Sequence, residues 1–200
     1  MSYLRLKSGH QDHDTSQCIG AGILPISMTP DNEVVVLLGK EGIHRNSMDS
    51  HTWCEFGGGR DHKEDIRVTA AREFEEESMA LWADKIEMIN LIMRNTDNRL
   101  IAEYNNGHYM QYVVYFNYDQ TMVDQFRRVF RFNEQTVSKL GFTPEKAALE
   151  KIDVGWFYLN SIVDETLPSE YNIRDCCLNN LKRVGLLYIQ RMYQLYNIQH

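Results

Sequence analysis

The residues best suited to chemistry lie between Gly57 and Ala80, where three consecutive glycines precede a run of acidic residues. Glu73, Glu76 and Glu77 belong to one predicted helix. Because an α-helix turns by about 100° per residue, their carboxylates fall within about 100° of one another. Carboxylate oxygens suit Mg²⁺ and Mn²⁺, and a glycine turn lets backbone approach a ligand closely. The pattern therefore predicts a divalent metal site on a rigid element.

An apolar seam is predicted beside these acids, formed by Ala70, Phe74, Ser78 and Leu81. The plain alternative is a solvated acidic surface, which would normally lie opposite the packing seam. Here the acids flank the seam instead, so we expect the helix to pack on a sheet with its carboxylates at the edge of the contact.

The same segment also contains a longer pattern of residues at fixed intervals. Its members are Gly58, Glu64, Arg72, Glu73, Phe74, Glu76 and Glu77. This spacing, over Gly58 to Ala80, resembles the Nudix box, G-x5-E-x7-R-E-U-x-E-E-x-G-U, where U is apolar. Met79 replaces the last glycine, and Ala80 occupies the last apolar position. Since that glycine normally ends the helix, Met79 predicts that the helix continues by one turn, to Trp82.

The resemblance implies roles for the box residues. It makes Glu73, Glu76 and Glu77 ligands of Mg²⁺ or Mn²⁺, with the Gly57 carbonyl and Glu64 as further metal positions. It also implies that Arg72 orients a box carboxylate through a bidentate contact.

The resemblance also implies a general base, which this family draws from different places. An acid before the last strand is a common source, which makes Glu150 the first candidate. Glu145 and Asp153 are the next candidates, and Glu103 is the last. For each of these four acids, a solvated surface position is the alternative.

The implied reaction is metal-dependent hydrolysis of a pyrophosphate linkage in a nucleoside diphosphate derivative. The net charge of -7 favours a small molecule such as a nucleotide sugar. The alternative is removal of the 5′ cap of messenger RNA, with an RNA track formed by Arg127, Arg128, Arg131, Lys182 and Arg183. Trp53 is a candidate for stacking on a base, although alternation along its strand favours a core position. A third hypothesis is a module that binds a nucleotide without cutting it.

The periodicity along the chain predicts an α/β/α sandwich around a mixed β-sheet, which agrees with the fold implied by the resemblance. We expect a polar arm over residues 1–16 and a single domain over 17–200, with a helical insertion at about 120–143. The insertion is a candidate substrate lid, and the equal alternative is a packed helix with solvated arginines. Strands are predicted at Lys85 to Arg94 and at His108 to Tyr118, the latter in the middle of the sheet. A long helix from Asn172 to Tyr196 should cover the sheet face opposite the box helix or contribute to a homodimer contact.

Composition limits the alternatives. A chain of 200 residues suits one domain, and its acidic balance excludes binding of nucleic acid over the whole surface. The four cysteines form no C-x2-C pair, so neither a zinc knuckle nor a redox motif is indicated. No apolar run approaches membrane-spanning length, and we expect a soluble, cytoplasmic protein with no membrane partner.

Overall fold

The computed structural model describes residues 15–42, 49–94, 99–140 and 149–196, and the backbone of residues 3–6. The elements follow in this order: β1 (Tyr3–Leu6), β2 (Gly20–Met28), β3 (Val34–Glu41), β4 (Trp53–Cys54), β5 (Phe56–Gly59), α1 (Ile66–Glu77), α2 (Lys85–Arg94), β6 (Leu100–Asn105), β7 (Tyr109–Tyr115), α3 (Thr121–Leu140), β8 (Lys151–Tyr158), α4 (Leu159–Val163) and α5 (Asp175–Tyr196). A turn predicted at residues 95–98 and the candidate base Glu145 lie outside the described residues.

The strands form one mixed sheet in the order β1-β6-β7-β2-β3-β4, with β5 paired to β2 and β8 paired to β3. Only the β2–β7 pair is parallel among the described strands. The first half of β2 pairs with β5, and its second half pairs with β3. The end of β3 pairs instead with β4, so the β4–β5 segment bridges two diverging strands at the end of the sheet that leads into α1.

Helices cover both faces of the sheet, because the central strands bury side chains on both sides. In β7, Met110, Tyr112 and Val114 join one apolar cluster with α1, α2 and α3. Val113 joins the other cluster with α4 and α5. The predicted α/β/α sandwich, its central β7 strand and the long C-terminal helix opposite the box helix are confirmed. None of the helices in the described parts of the chain combines the length and apolarity needed to cross a membrane.

The N-terminal segment contains a strand that the prediction of a polar arm missed. Tyr3–Leu6 forms β1, which pairs antiparallel with β6 from Tyr3↔Asn105 to Leu6↔Ala102. Four residues are too few for the alternation of polar and apolar side chains to stand out from a polar terminus. The pairing depends on a strand a hundred residues away.

The segment Lys85–Arg94 is helix α2, so the predicted strand is wrong. Its buried residues, Met88, Leu91 and Ile92, follow the spacing of one helix face. Asp84 begins the helix, since its carboxylate accepts a hydrogen bond from the Glu87 N–H at 2.7 Å. This cap is a sequence signal that the strand prediction overlooked.

The box helix ends at Glu77, and the predicted extension to Trp82 is wrong. Met79 takes the left-handed conformation usual for glycine, with φ 56°, and Ala80 follows with φ 54°. The Ala80 N–H donates to the Glu75 carbonyl at 2.7 Å, and the Met79 N–H donates to the Glu76 carbonyl at 3.2 Å. These two bonds form a Schellman motif, and burial of part of the Met79 side chain against the core helps offset a steric cost of about 1–2 kcal/mol.

Candidate metal and active site

Helix α1 starts at a defined cap and places two acids on its inner edge. The Asp65 carboxylate accepts a hydrogen bond from the Arg67 N–H at 2.8 Å, which satisfies one of the free donors of the first turn. Phe74 is fully buried against the sheet and fixes the rotation of the helix. As a result Glu73 and Glu77, four residues apart, are both buried at the border of the apolar contact.

The glycine turn makes room for these acids. A Cβ atom at Gly58 would lie only 2.5 Å from the carboxyl carbon of Glu73, whereas a Cβ at Gly59 would meet nothing within 4 Å. The Gly57 N–H donates a hydrogen bond to Glu77 Oε2 at 2.8 Å. The first box glycine is therefore needed for the close approach of a carboxylate, and Gly57 contributes through its N–H. Its carbonyl as a metal ligand stays a prediction.

Glu150 completes a group of three acids. It lies directly before β8, and one carboxylate oxygen from each of Glu73, Glu77 and Glu150 lies within 4.8 Å of the others. The structure therefore brings the first-choice general base next to two of the predicted metal ligands, from a different part of the chain. Glu76 is outside this group and is about one-third exposed.

The electrostatics of the group reflect crowded negative charge. Burial raises the pKa of Glu73, and Glu76 and Glu150 raise it further against the opposing effect of Arg72. Burial also raises the pKa of Glu77 to about 8, although Lys151 opposes this shift. Without a cation, part of the group therefore holds protons at neutral pH.

Arg72 organises the acids on one side of the group. Its guanidinium makes a bidentate contact with Glu64, at 3.1 and 3.2 Å, as the resemblance implied for a box carboxylate. It also pairs with Glu73 at 2.8 Å and with Glu76 at 3.1 Å. Glu64 accepts a further hydrogen bond from the Thr69 hydroxyl at 2.9 Å. Glu64 is therefore placed as the partner of Arg72, outside the group of three, and its role as a metal position stays a prediction.

A buried basic residue on the other side was missed by the sequence analysis. Lys151 has a fully buried side chain whose ammonium contacts Glu41 at 2.8 Å, Cys54 at 2.9 Å and Glu77 at 3.4 Å. Burial lowers the pKa of Lys151, but the thiol and the two carboxylates more than offset this effect and raise it. In the sequence Lys151 is simply the first residue of a strand that also contains Asp153, and this position does not reveal its partners.

The predicted substrate residues are not gathered at the acidic group. Trp53 is 5% exposed and packs edge-on against Phe157, with ring centroids 4.9 Å apart, in the cluster on the far side of the sheet. Its stacking role is therefore corrected to a core role, because the packed ring offers no free face to a base.

The remaining candidates lie mainly on α3 and β8. Arg127 makes a bidentate contact with Asp153, at 2.7 and 3.2 Å, so this alternative base is paired with a cation. Arg131 is exposed and donates to the carbonyl of Arg127 at 3.1 Å. Glu103 lies on β6, separated from β3 by β7 and β2. Substrate binding by the two arginines stays a prediction.

No family model matches this chain, and no curated protein matches it. Solved structures similar to it include the Nudix hydrolase RenU from M. smegmatis, at 16% identity and a TM-score of 0.47, covering 87% of both chains. A mutT/nudix family protein from Listeria innocua also has 16% identity and a TM-score of 0.47, covering 88% of this chain and 96% of its own. An Ap4A hydrolase from C. elegans, in a binary complex, has 15% identity and a TM-score of 0.39, covering 84% and 96%. The first two of these similar structures are Nudix proteins.

Proposed function

We propose that this protein is a Nudix-type pyrophosphohydrolase that uses Mg²⁺ or Mn²⁺ to cleave a nucleoside diphosphate derivative. The observation that carries the proposal is the group formed by Glu73, Glu77 and Glu150, whose oxygens lie within 4.8 Å of one another. Three acids this close repel one another when ionised, and a divalent cation offsets that repulsion.

The residues present fit a hard divalent cation. The donor atoms are carboxylate oxygens, and no thiol or imidazole belongs to the group found among the described residues. The absence of a side chain at Gly58 leaves room for Glu73. The hydrogen bonds from Gly57 to Glu77 and from Arg72 to Glu73 fix both carboxylates before a ligand arrives.

The chain's own residues can then be given roles in the reaction. Glu73 and Glu77 would hold the cation, with Glu76 and the Gly57 carbonyl as the further ligands that the motif implies. A bound divalent cation would neutralise the pyrophosphate and act as a Lewis acid. Glu150 would accept the proton of the attacking water at a carboxylate oxygen. It reaches the acidic group from the residue before β8, whereas Glu73 and Glu77 come from α1. Arg72 keeps Glu73 and Glu76 in place through its paired contacts.

The geometry favours a small nucleotide derivative over capped RNA. The basic residues of α3 lie on the sheet face that carries α1, whereas Lys182 and Arg183 belong to α5 on the opposite face. Lys182 pairs with Glu165 at 2.9 Å, and Arg127 is occupied by Asp153. The two basic groups therefore do not form one continuous track for phosphates, which weakens the decapping alternative.

The test is an activity panel run first with Mg²⁺ and then with Mn²⁺. Substrates include nucleotide sugars, other nucleoside diphosphate derivatives and cap-labelled RNA. Glu73→Gln is run in parallel, because it removes one charge from the acidic group while keeping the side-chain shape. Glu75→Gln is the matched control, since Glu75 lies on the same helix and instead accepts the Lys85 N–H at 3.0 Å.

Turnover of a small nucleotide that falls at least about 100-fold in Glu73→Gln, and is retained in Glu75→Gln, would support the proposal. Release of a methylated nucleoside diphosphate from RNA, with small nucleotides untouched, would establish the decapping alternative. No turnover of any substrate, combined with tight nucleotide binding, would refute the enzyme and favour a binding module.

A further inference from the structure

Lys151 is a charged residue whose side chain has no exposure to solvent. Moving an ammonium group from water into a protein interior is unfavourable even after relaxation, and it is more unfavourable still if a partner is missing. Such a residue persists only when its surroundings are arranged to hold it, so its contacts indicate what it does.

The surroundings of Lys151 come from several elements. Glu41 at the end of β3, Cys54 in β4 and Glu77 at the end of α1 all lie within 3.4 Å of its nitrogen. Gly39 clears the path for the side chain, since a Cβ atom there would lie 2.8 Å from Lys151 Cδ. The lysine therefore occupies a fitted site where the diverging strands of the sheet meet the box helix.

This site is connected to two members of the acidic group. The Glu77 carboxylate is held at both oxygens, by the Gly57 N–H at 2.8 Å and by Lys151 at 3.4 Å. Glu150 is joined to Lys151 by a peptide bond, so anchoring the lysine also restricts where Glu150 can lie. One buried side chain thus constrains acids from two separate segments.

We propose that Lys151 is a positioning residue of the metal site, holding Glu77, a proposed metal ligand, and Glu150, the proposed general base, in place around the divalent cation. This inference rests on the proposed function, since it assumes that the acidic group binds a cation. Lys151 does not touch the substrate. It acts through Glu77 on one side and through the backbone of Glu150 on the other.

A purely structural role predicts something different. Glu41 is buried and forms the shortest contact with Lys151, at 2.8 Å. If the lysine only neutralised Glu41, replacing both residues together by neutral side chains of similar shape would be close to neutral or stabilising. The metal site would then remain intact, because Glu77 still has its hydrogen bond from Gly57.

The experiment compares the single variant Lys151→Met with the double variant Glu41→Gln/Lys151→Met. Lys85→Met is the matched control, because Lys85 begins α2, outside the contacts of the acidic group. The metal-free unfolding temperature of each protein is measured first. Each is then titrated with Mn²⁺, using calorimetry for affinity and electron paramagnetic resonance for the coordination of the bound ion.

We expect the single variant to lose stability and the double variant to recover it, while the double variant binds Mn²⁺ about 10–100-fold more weakly than the parent. The resonance of the bound Mn²⁺ should broaden or change, which a stabilising role alone would not cause. Lys85→Met should match the parent in both measurements.

A double variant that binds Mn²⁺ within threefold of the parent, with an unchanged spectrum, would overturn the proposal. A double variant that does not fold would overturn it as well, since Lys151 would then serve the core rather than the metal site. Because the readout is metal binding, a parent that binds Mn²⁺ but cleaves nothing would refute the proposed reaction and leave this test decisive. A parent that binds no Mn²⁺ would refute both.

Discussion

The raised pKa of Glu77 predicts that the metal-free protein loses stability as pH rises, and that Glu77→Gln removes much of this loss. The ordinary pKa is 4.5, and burial raises the pKa in the folded protein to about 8. Below the ordinary value both folded and unfolded chains are protonated, so Glu77 contributes no penalty. Above it the unfolded chain releases the proton while the folded chain keeps it, and stability falls until the pH passes about 8.

The size of this effect follows from one proton. Stability changes by about 1.4 kcal/mol per pH unit when the two states differ by one bound proton. Between about pH 5.5 and 7.5 the parent should therefore lose about 2–3 kcal/mol relative to Glu77→Gln. For a chain of this size, that corresponds to about 5–10 °C in unfolding temperature. Glutamine keeps an oxygen acceptor for the Gly57 N–H and cannot ionise.

The assay is thermal and urea unfolding in the presence of a chelator, at several pH values between about 5 and 8.5, for the parent, Glu77→Gln and Glu75→Gln. When the pH profiles of the three proteins are compared, the stability contributions of groups that titrate equally in all of them cancel. Added Mn²⁺ should stabilise the parent most at high pH, since cation binding releases the proton. Parallel profiles for the parent and Glu77→Gln would refute the reasoning, because they would mean that Glu77 ionises in the folded protein much as it does in water.

Two further predictions use the backbone of the box. Gly58→Ala should weaken Mn²⁺ binding at least about tenfold, because its Cβ would lie 2.5 Å from the Glu73 carboxyl carbon, while Gly59→Ala, with nothing within 4 Å, should bind normally in calorimetry. Equal affinities for the two variants would contradict this account of the turn. Ala80→Gly should stabilise the protein by up to about 1 kcal/mol in urea unfolding, because Ala80 is exposed and has φ 54°. A loss of stability would show that the left-handed turn carries no strain.

The parts of the fold that were predictable depend on short-range periodicity. Helix α1 follows from the spacing of Phe74 and its neighbouring acids, since one turn of helix decides which side chains share a face. Strand β7 was equally clear, because large side chains alternate along both of its faces. The proximity of Glu150 to the box acids came from the family resemblance and could not be worked out from spacing.

The errors arise where local signals compete or where distant contacts decide. In Lys85–Arg94 the apolar residues fit a strand as well as a helix, and only the cap from Asp84 separates the two. The replacement of the last box glycine by Met79 suggested a longer helix. Instead the helix ends before Met79, which takes the left-handed conformation and packs its side chain against the core. Lys151 was missed because its partners come from β3, β4 and α1, and no spacing along the chain brings them together.

Strand β1 also has a consequence for how molecules of this protein meet one another. It pairs with β6 from Ala102 to Asn105, where the backbone groups of β6 would otherwise lie unpaired at the edge of the sheet. An exposed apolar edge strand is a template for pairing with another chain and for aggregation. By covering β6 with only four residues, β1 leaves a shorter edge that includes Arg5. We therefore expect β1 to limit edge-to-edge association along Ala102 to Asn105, which an arm that did not pair with the sheet could not do.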